Sequence, residues 1–275
     1  MRKLLVRSIT GIIYIALTIV SIYAGKFAFA CFFGIVLTYS LFEFYRLCQK
    51  GGYKPYMFLG IITALYLFTA TFMFENQGAN VNLFFGLIPL AMLIPIRSLF
   101  TEDGKSVENM AYTLLGIVYI GLPFSILNNI ITPLNDGSMV RMPNILLIFF
   151  AILWANDSGA YLAGSTLGRT KMIESISPRK TWEGAVGGLI LAIATALIMF
   201  HYFYPIGLFH SIAISALTVV AGTFGDLSES MVKRHFKVKD SGKILPGHGG
   251  LLDRFDSMLF AAPIFYIYIS MIVNL

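Results

Sequence analysis

Long apolar runs alternate with short polar segments along the whole chain. Each run is roughly 20 residues, the length that an α-helix needs to cross a bilayer, whereas barrel strands would be shorter and would alternate. The first run, after MRKLLVR, is typical of a retained signal anchor because it is long and further runs follow it. The pattern predicts about nine transmembrane helices, near 8–25, 27–47, 55–74, 82–100, 111–131, 143–164, 184–204, 207–228 and 257–274.

Composition places the chain among integral membrane proteins. Of its 275 residues, 57% are hydrophobic and only 12% are charged, which lies outside the usual range for soluble domains. No low-complexity tract or convincing repeat divides the chain. We therefore expect an all-α polytopic protein with a single integral membrane domain over 1–275. In it, 1–140 would provide packing helices and candidate dimer contacts, and 141–275 the helices and cytoplasmic loops with candidate catalytic groups.

The basic residues predict the orientation in the membrane. In an alternating nine-span arrangement, Lys26 and Arg141 are the only Lys and Arg residues of the 20 that fall on the side opposite the N-terminus. Positive loops face the cytoplasm, so the N-terminus is predicted to be cytoplasmic and the C-terminus outside. Basic loops at an anionic leaflet also account for the formal net charge of +6 without a nucleic acid partner.

Two acids stand near the cytoplasmic ends of predicted helices. Asp157 lies in LWANDSGAYLAG and Asp226 in VAGTFGDLSES, whereas Glu43 is the main ionisable exception in the first five spans. A carboxylate in hydrocarbon usually faces a polar interior and has a partner, which makes metal or cation binding plausible. The alternative is that each side chain reaches the interface or pairs with a nearby Lys.

The segment SISPRKTWEGAVGG, residues 175–188, places a cation pair just before a predicted helix. Arg179 and Lys180 at this position suit a phosphate group, because the free N–H groups of a helix N-terminus add to the positive field. Simple anchoring by positive loop residues is the alternative. Gly184 and Gly188 have the spacing of a helix packing motif, and we expect them to serve packing rather than ligand binding.

The last polar segment, SMVKRHFKVKDSGKILPGHGGLLDRFD, mixes charges of both signs with glycine over residues 230–256. If LLDRFDS begins a helix, Asp253 and Asp256 share one face and could bind a divalent cation. Glycine lets the backbone approach an anion closely, and cations neutralise phosphates. The residues of these two kinds are Gly247, Gly249 and Gly250, and Lys233, Arg234, Lys239 and Arg254. His248 is expected to contact substrate without acting as a general base.

At these residues the sequence resembles the phosphatidate cytidylyltransferases, also called CDP-diacylglycerol synthases. The similarity rests on the Lys-Arg pair, Lys-Asp, His-Gly-Gly and Asp-Arg-x-Asp of residues 230–256, and on ANDSGAYLAGSTLGRTKMIESISPRKTWEG, residues 155–184. It covers roughly the C-terminal half of the chain. The resemblance implies transfer of the cytidylyl group from CTP to phosphatidic acid, which gives CDP-diacylglycerol and pyrophosphate in phospholipid biosynthesis.

The resemblance also implies Mg²⁺, with a second cation as an open alternative, and a homodimer in the inner (cytoplasmic) membrane whose active site faces the cytoplasm. Acids for a metal and bases for phosphates are what nucleotidyl transfer requires. The expected catalytic residues are Asp226, Asp253, Lys233 and Arg234. The expected metal ligands are Asp226 and Asp253, followed by Asp157 and Asp256. The expected substrate-binding residues are Ser177, Lys180, Lys239, His248, Gly249, Gly250 and Arg254.

A secondary transporter is the competing interpretation, with Asp157 and Asp226 binding coupling ions. Their predicted position at cytoplasmic helix ends argues against it, because a transport site should lie deeper in the bilayer. A CDP-alcohol phosphotransferase would need a DGxxAR motif, which the sequence does not contain. A purely structural scaffold would leave the clustered acids and glycines unexplained.

Overall fold

The computed structural model describes residues 2–101, 104–131, 143–245, 247 and 249–273. Its helices are α1 (Arg2–Tyr23), α2 (Lys26–Lys50), α3 (Met57–Gln77), α4 (Leu87–Leu99), α5 (Ser106–Gly116), α6 (Leu122–Ile131), α7 (Pro143–Leu167), α8 (Trp182–Phe203), α9 (Leu208–His235) and α10 (Leu252–Val273). A 3₁₀ segment, Val81–Gly86, leads into α4, and a π-helical turn, Ile117–Gly121, joins α5 to α6.

Membrane-spanning helices dominate the described part of the chain. Eight helical segments there are long and apolar enough to cross a bilayer, and Thr10–Tyr23 within α1 is a shorter apolar segment. The all-α polytopic fold is therefore confirmed, and a helix lies at each of the nine predicted positions. The orientation of the two termini stays a prediction.

The last two helices differ from the predicted spans in ways that matter for the chemistry. The eighth span was expected to end near 228, but α9 continues to His235, so Lys233 and Arg234 are helical rather than in a loop. The ninth span was placed from about 257, whereas α10 begins at Leu252, which confirms that LLDRFDS begins a helix containing both Asp253 and Asp256. Hydropathy misses these turns because they are polar although they continue the helix.

A small β-hairpin precedes α8, where the sequence suggested only a loop. Strand β1 (Lys171–Ile173) pairs antiparallel with β2 (Ser177–Thr181). The Thr181 hydroxyl then accepts a hydrogen bond from the Gly184 amide at 3.1 Å and caps the N-terminus of α8. The hairpin thus sets the position of Arg179 and Lys180 directly before that helix.

By its internal contacts the chain divides into two compact units. The first unit comprises the described residues of Met1–Asn129 and His235–Phe255. Its core includes three buried rings, Phe33, Phe124 and Phe255, whose centroids lie 5.6–6.4 Å apart. These rings pack the first turn of α10 against α2 and α6, since each side chain comes from a different helix.

The second unit comprises the described residues of Ile130–Arg234 and Asp256–Leu275. Helices α7 and α8 pack closely along small residues. A Cβ added at Gly188 would lie 2.7 Å from the Asn156 carbonyl oxygen, and one added at Gly184 would lie 2.9 Å from that of Ala160. The prediction that both glycines serve helix packing is confirmed, because no larger residue fits without a backbone shift.

Candidate active site

A polar pocket lies in the second unit where four helices and the hairpin meet. Its volume is about 230 Å³, so it suits a phosphate-sized part of a ligand better than a whole drug-sized molecule, for which pockets of roughly 300–1,000 Å³ are usual. The lining residues are Asn156, Asp157, Ala160, Tyr161, Met172, Arg179, Lys180, Thr181, Gly184, Ala185, Thr223, Asp226 and Ser257. Four of the residues that the sequence suggested for ligand chemistry, Asp157, Arg179, Lys180 and Asp226, therefore share one pocket.

An ion pair crosses this pocket. Lys180 of β2 lies with its Nζ 2.5 Å from Oδ2 of Asp226 in α9, and the side chains are 27% and 28% exposed. The Ser230 hydroxyl donates to the other carboxylate oxygen of Asp226 at 3.3 Å. Sequence reasoning assigned Asp226 to a metal and Lys180 to phosphate, and the structure brings these two side chains into direct contact.

The Asp256 carboxyl lies within electrostatic reach of two other acids of the second unit. The charges of Asp226 and Asp157 both influence the Asp256 carboxyl, as does the Lys233 ammonium. Close packing of α9 on α10 explains the proximity, since a Cβ at Gly225 would lie 2.6 Å from the Asp256 carbonyl oxygen. Among the residues that the structure describes, no group of three or more His, Cys, Asp and Glu side chains has the geometry of a metal site. The assignment of these acids as metal ligands stays a prediction.

Lys233 and Arg234 have partners at the end of α9. Lys233 pairs with Glu229 one turn earlier on the helix, and both residues are buried. Arg234 donates from Nε to the carbonyl oxygen of Ile176 at 3.3 Å and so ties α9 to the turn of the hairpin. The buried Glu229 compensates the Lys233 charge, which the sequence did not suggest.

Two other predicted positions of the second unit, Ser177 and Asp256, are not among the residues that line the polar pocket. Ser177 begins β2, and Asp256 lies in the first turns of α10. An apolar groove of about 420 Å³ shares three lining residues with the polar pocket: Met172, Ala185 and Thr223. The other groove residues are Ile173, Trp182, Val186, Leu189, Val219, Val220, Phe224 and Leu227. The apolar groove therefore adjoins the polar pocket, a feature that hydropathy alone does not reveal.

In the first unit, Asp253 organises the segment that we call the glycine loop, residues 236–251. Its carboxylate is buried, and its Oδ2 accepts hydrogen bonds from the backbone amides of Ser241 at 3.0 Å and Gly250 at 2.7 Å. Gly249 has a φ of 88°, and a Cβ there would lie 2.7 Å from the same oxygen. The anion that Gly249 and Gly250 approach in this structure is therefore the Asp253 side chain.

Glu43 of α2 is the residue that the sequence flagged without assigning a role. Its carboxylate is buried and its Oε2 accepts from the Leu252 amide at 2.9 Å and from the Ser241 hydroxyl at 3.1 Å. An acid inside an otherwise apolar helix was the available signal. Its partner could not be inferred, because nearly 200 residues separate them in sequence.

Lys239 and Arg254 are exposed, and the predicted substrate contact His248 lies outside the described residues. The structure thus distributes the predicted residues over both units. In the first unit they lie in or next to the glycine loop, and in the second unit Asp157, Lys180 and Asp226 line the polar pocket. The roles assigned to all of them stay predictions.

The fold and pocket define a multi-pass membrane protein with a charged site that an apolar groove adjoins. The model of the cytidylyltransferase family matches residues 5–272, and the chain belongs to that family. It is similar to the phosphatidate cytidylyltransferase of Staphylococcus saprophyticus, with 40% identity over 168 residues, and to that of Bacillus subtilis, with 39% identity over 179 residues. The matched segments cover 61% and 64% of this chain, and 62% of each relative.

Proposed function

We propose that the protein is a phosphatidate cytidylyltransferase, which converts CTP and phosphatidic acid into CDP-diacylglycerol and pyrophosphate. The observation that carries the proposal is that the polar pocket adjoins an apolar groove, with Met172, Ala185 and Thr223 lining both. A lipid phosphate needs this combination, with a charged site for its headgroup and an apolar surface for an acyl chain. The membrane-spanning helices and the family membership support the same substrates.

The reaction would be a direct displacement. An oxygen of the lipid phosphate forms a bond to the α-phosphorus of CTP, and the bond from that phosphorus to the oxygen bridging the α and β phosphates breaks, so pyrophosphate leaves. The lipid phosphate is already ionised, so the protein needs mainly to position two anions and reduce their repulsion. Lys180 and Arg179 line the pocket next to the N-terminus of α8, a position that supports this role.

The acids of the second unit offer the oxygen ligands that a hard divalent cation prefers. Asp157 and Asp226 line the pocket, and their charges act on the Asp256 carboxyl, so the repulsion at Asp256 would fall if a cation bound between them. We expect Mg²⁺, which would polarise phosphoryl oxygens and offset the charge of the leaving pyrophosphate. Asp253 remains an expected ligand by the resemblance to the family, and its carboxylate also accepts hydrogen bonds from the Ser241 and Gly250 amides.

The cell context is proposed on the same basis. The predicted orientation places the polar loops on the cytoplasmic side of the inner membrane, where CTP is available. Homodimer formation is expected from the resemblance to the family. The comparisons give no support to a secondary transporter, and the site in the second unit is built from charged groups that suit phosphates.

The test is conversion of phosphatidic acid by the purified protein in detergent micelles, with CTP and with or without Mg²⁺. We expect CDP-diacylglycerol and pyrophosphate in equal amounts, and no product when either substrate is omitted or when the metal is chelated. Pyrophosphate release without a cytidylylated lipid, or no reaction with phosphatidic acid at any metal concentration, would refute the proposal.

A further inference from the structure

Glu43 is an isolated acid in the apolar helix α2, and its side chain is only 5% exposed. A carboxylate in such a position is costly unless hydrogen-bond donors compensate its charge. Here the donors come from the glycine loop and the start of α10: the Ser241 hydroxyl at 3.1 Å and the Leu252 amide at 2.9 Å. The Leu252 amide is one of the free N–H groups at the N-terminus of α10, where a negative charge is stabilising.

The glycine loop closes around this carboxylate without room for side chains. A Cβ added at Gly242 would lie 1.9 Å from Oε1 of Glu43, and one at Gly250 would lie 2.5 Å from Oε2. Both oxygens are therefore enclosed by backbone. Since Gly250 is the second glycine of the His-Gly-Gly motif, this contact gives a physical reason for glycine at that position.

Ser241 connects Glu43 to Asp253. Its hydroxyl donates to Glu43, and its backbone amide donates to Asp253. Asp253 in turn accepts from the Gly250 amide at 2.7 Å. Two carboxylates, one on α2 and one on α10, thus hold the loop at Ser241 and at Gly250, the two ends of its glycine-rich part.

We propose that Glu43 is a positioning residue that fixes the glycine loop, and through Ser241 the Asp253 carboxylate, in the conformation that the reaction requires. This inference depends on the proposed function for its catalytic readout but not for its structural one. It gives α2 a part in the active site, whereas the sequence assigned the N-terminal helices only to packing and dimer contacts. Glu43 itself is not expected to contact a substrate.

The decisive variant is Glu43→Gln, which keeps the shape of the side chain but removes its charge. A charge-assisted hydrogen bond contributes more than a neutral one, so we expect kcat/KM to fall about 10- to 100-fold. We also expect trypsin to cut faster after Lys243, which is exposed within the glycine loop, by several-fold at 25 °C. The fragments would be assigned by mass spectrometry.

Glu75→Gln is the matched control. Glu75 is a carboxylate of the apolar helix α3 in the same unit, and it accepts a hydrogen bond from the Asn129 side-chain amide. We expect wild-type kcat/KM and wild-type cleavage after Lys243 in this variant. Equal losses in both variants would show a general effect of removing a charge from an apolar helix and would overturn the proposal, as would wild-type behaviour of Glu43→Gln.

Ser241→Ala covers the case in which Glu43→Gln does not fold. It removes the hydroxyl that donates to Glu43 but leaves the amide that donates to Asp253. We expect a several-fold loss of kcat/KM and faster cleavage after Lys243, and wild-type values of both would contradict the proposal. If the wild-type protein does not convert phosphatidic acid, the proposed function fails, while the proteolysis comparison still decides whether Glu43 holds the loop.

Discussion

Lys180 on the hairpin and Asp226 on α9 form an ion pair of 2.5 Å within the polar pocket. Both partners belong to the residues expected to handle charged substrates, one for phosphate and one for a metal. A phosphate group that binds Lys180 would compete with Asp226, and a cation that binds Asp226 would compete with Lys180. A phosphate that binds Lys180 makes Asp226 available to a cation, and a cation that binds Asp226 makes Lys180 available to a phosphate. We therefore expect a nucleotide and its cation to bind together.

Asp226→Asn tests the acid of this pair. The amide keeps the size of the side chain but cannot supply a charged oxygen to a cation, so we expect at least about a 100-fold loss of CTP turnover in a protein that stays folded in detergent. Turnover is measured as pyrophosphate release, and folding by size-exclusion chromatography and thermal unfolding. Near-normal turnover would rule out a metal-binding role for Asp226.

Glu174→Gln is the control for that experiment. Glu174 lies in the exposed turn between β1 and β2, so the substitution removes a carboxylate close in sequence to Lys180 but outside the pocket lining. We expect turnover within about twofold of wild type, since exposed charges contribute little beyond their contacts. A loss as large as that of Asp226→Asn would mean that net charge, rather than Asp226 itself, is responsible.

Lys180→Met separates binding from stability. The ion pair is more than a quarter exposed, so its loss should change the free energy of unfolding by less than about 1 kcal/mol. In contrast, loss of a phosphate contact should lower kcat/KM by about 10- to 100-fold. Thermal unfolding and steady-state kinetics on the same preparation check both values, and a large drop in unfolding temperature with unchanged kinetics would contradict this assignment.

Much of the fold could be predicted from the sequence, since the apolar runs by themselves indicate all nine helical positions. Hydropathy alone ends α9 too early and begins α10 too late, because Lys233 and Asp253 lie in polar helical turns, whereas the motif LLDRFDS indicated where α10 begins. Charge and spacing brought Asp157, Lys180 and Asp226 forward as site residues, and they line one pocket. The pairing of Lys180 with Asp226 depends on a hairpin whose strands are too short to leave a periodic pattern.

Contacts between residues far apart in the sequence could not be predicted from hydropathy or motif spacing. Glu43 could be recognised as unusual, but the donors that it accepts from lie in the glycine loop and at the start of α10. In contrast, the pairing of Lys233 with Glu229 has a local signal, because the two residues lie one helical turn apart. Pairs one helical turn apart can thus be predicted from the sequence, whereas pairs far apart in the sequence require the three-dimensional structure.

Val186→Trp tests whether the apolar groove binds an acyl chain. Val186 lines the groove on α8 and is 54% exposed, so the indole ring of tryptophan should narrow the groove without disturbing the core. We expect the KM for a long-chain phosphatidic acid to rise about 10-fold, while the KM for CTP stays unchanged. A short-chain substrate with eight-carbon acyl groups should be affected less.

Ile190→Trp is the companion variant. Ile190 lies one turn further along α8, is 64% exposed and is not among the residues that line the groove. We expect both substrates to keep their KM values in this variant. If the two tryptophan variants change the long-chain KM equally, contact with surrounding lipid or detergent explains the effect and the groove has no special role.

Gly188→Ala tests the close packing of α7 on α8 that supports the pocket. The added methyl group would lie 2.7 Å from the Asn156 carbonyl oxygen, which is backbone and cannot move away alone, so the helices must separate. We expect a loss of about 1–3 kcal/mol in stability, seen as a lower unfolding temperature in detergent.

Gly34→Ala on α2 is the control, because its nearest neighbour is the Phe68 ring at 3.9 Å, an ordinary contact. Alanine favours a helix over glycine, so Gly34→Ala should leave the unfolding temperature equal or higher. If the unfolding temperature falls equally in both variants, the loss does not come from the close approach of α7 and α8 at Gly188. Turnover should fall with the unfolding temperature in Gly188→Ala, because Asn156 and Gly184 on the same two helices line the pocket that holds Lys180 and Asp226.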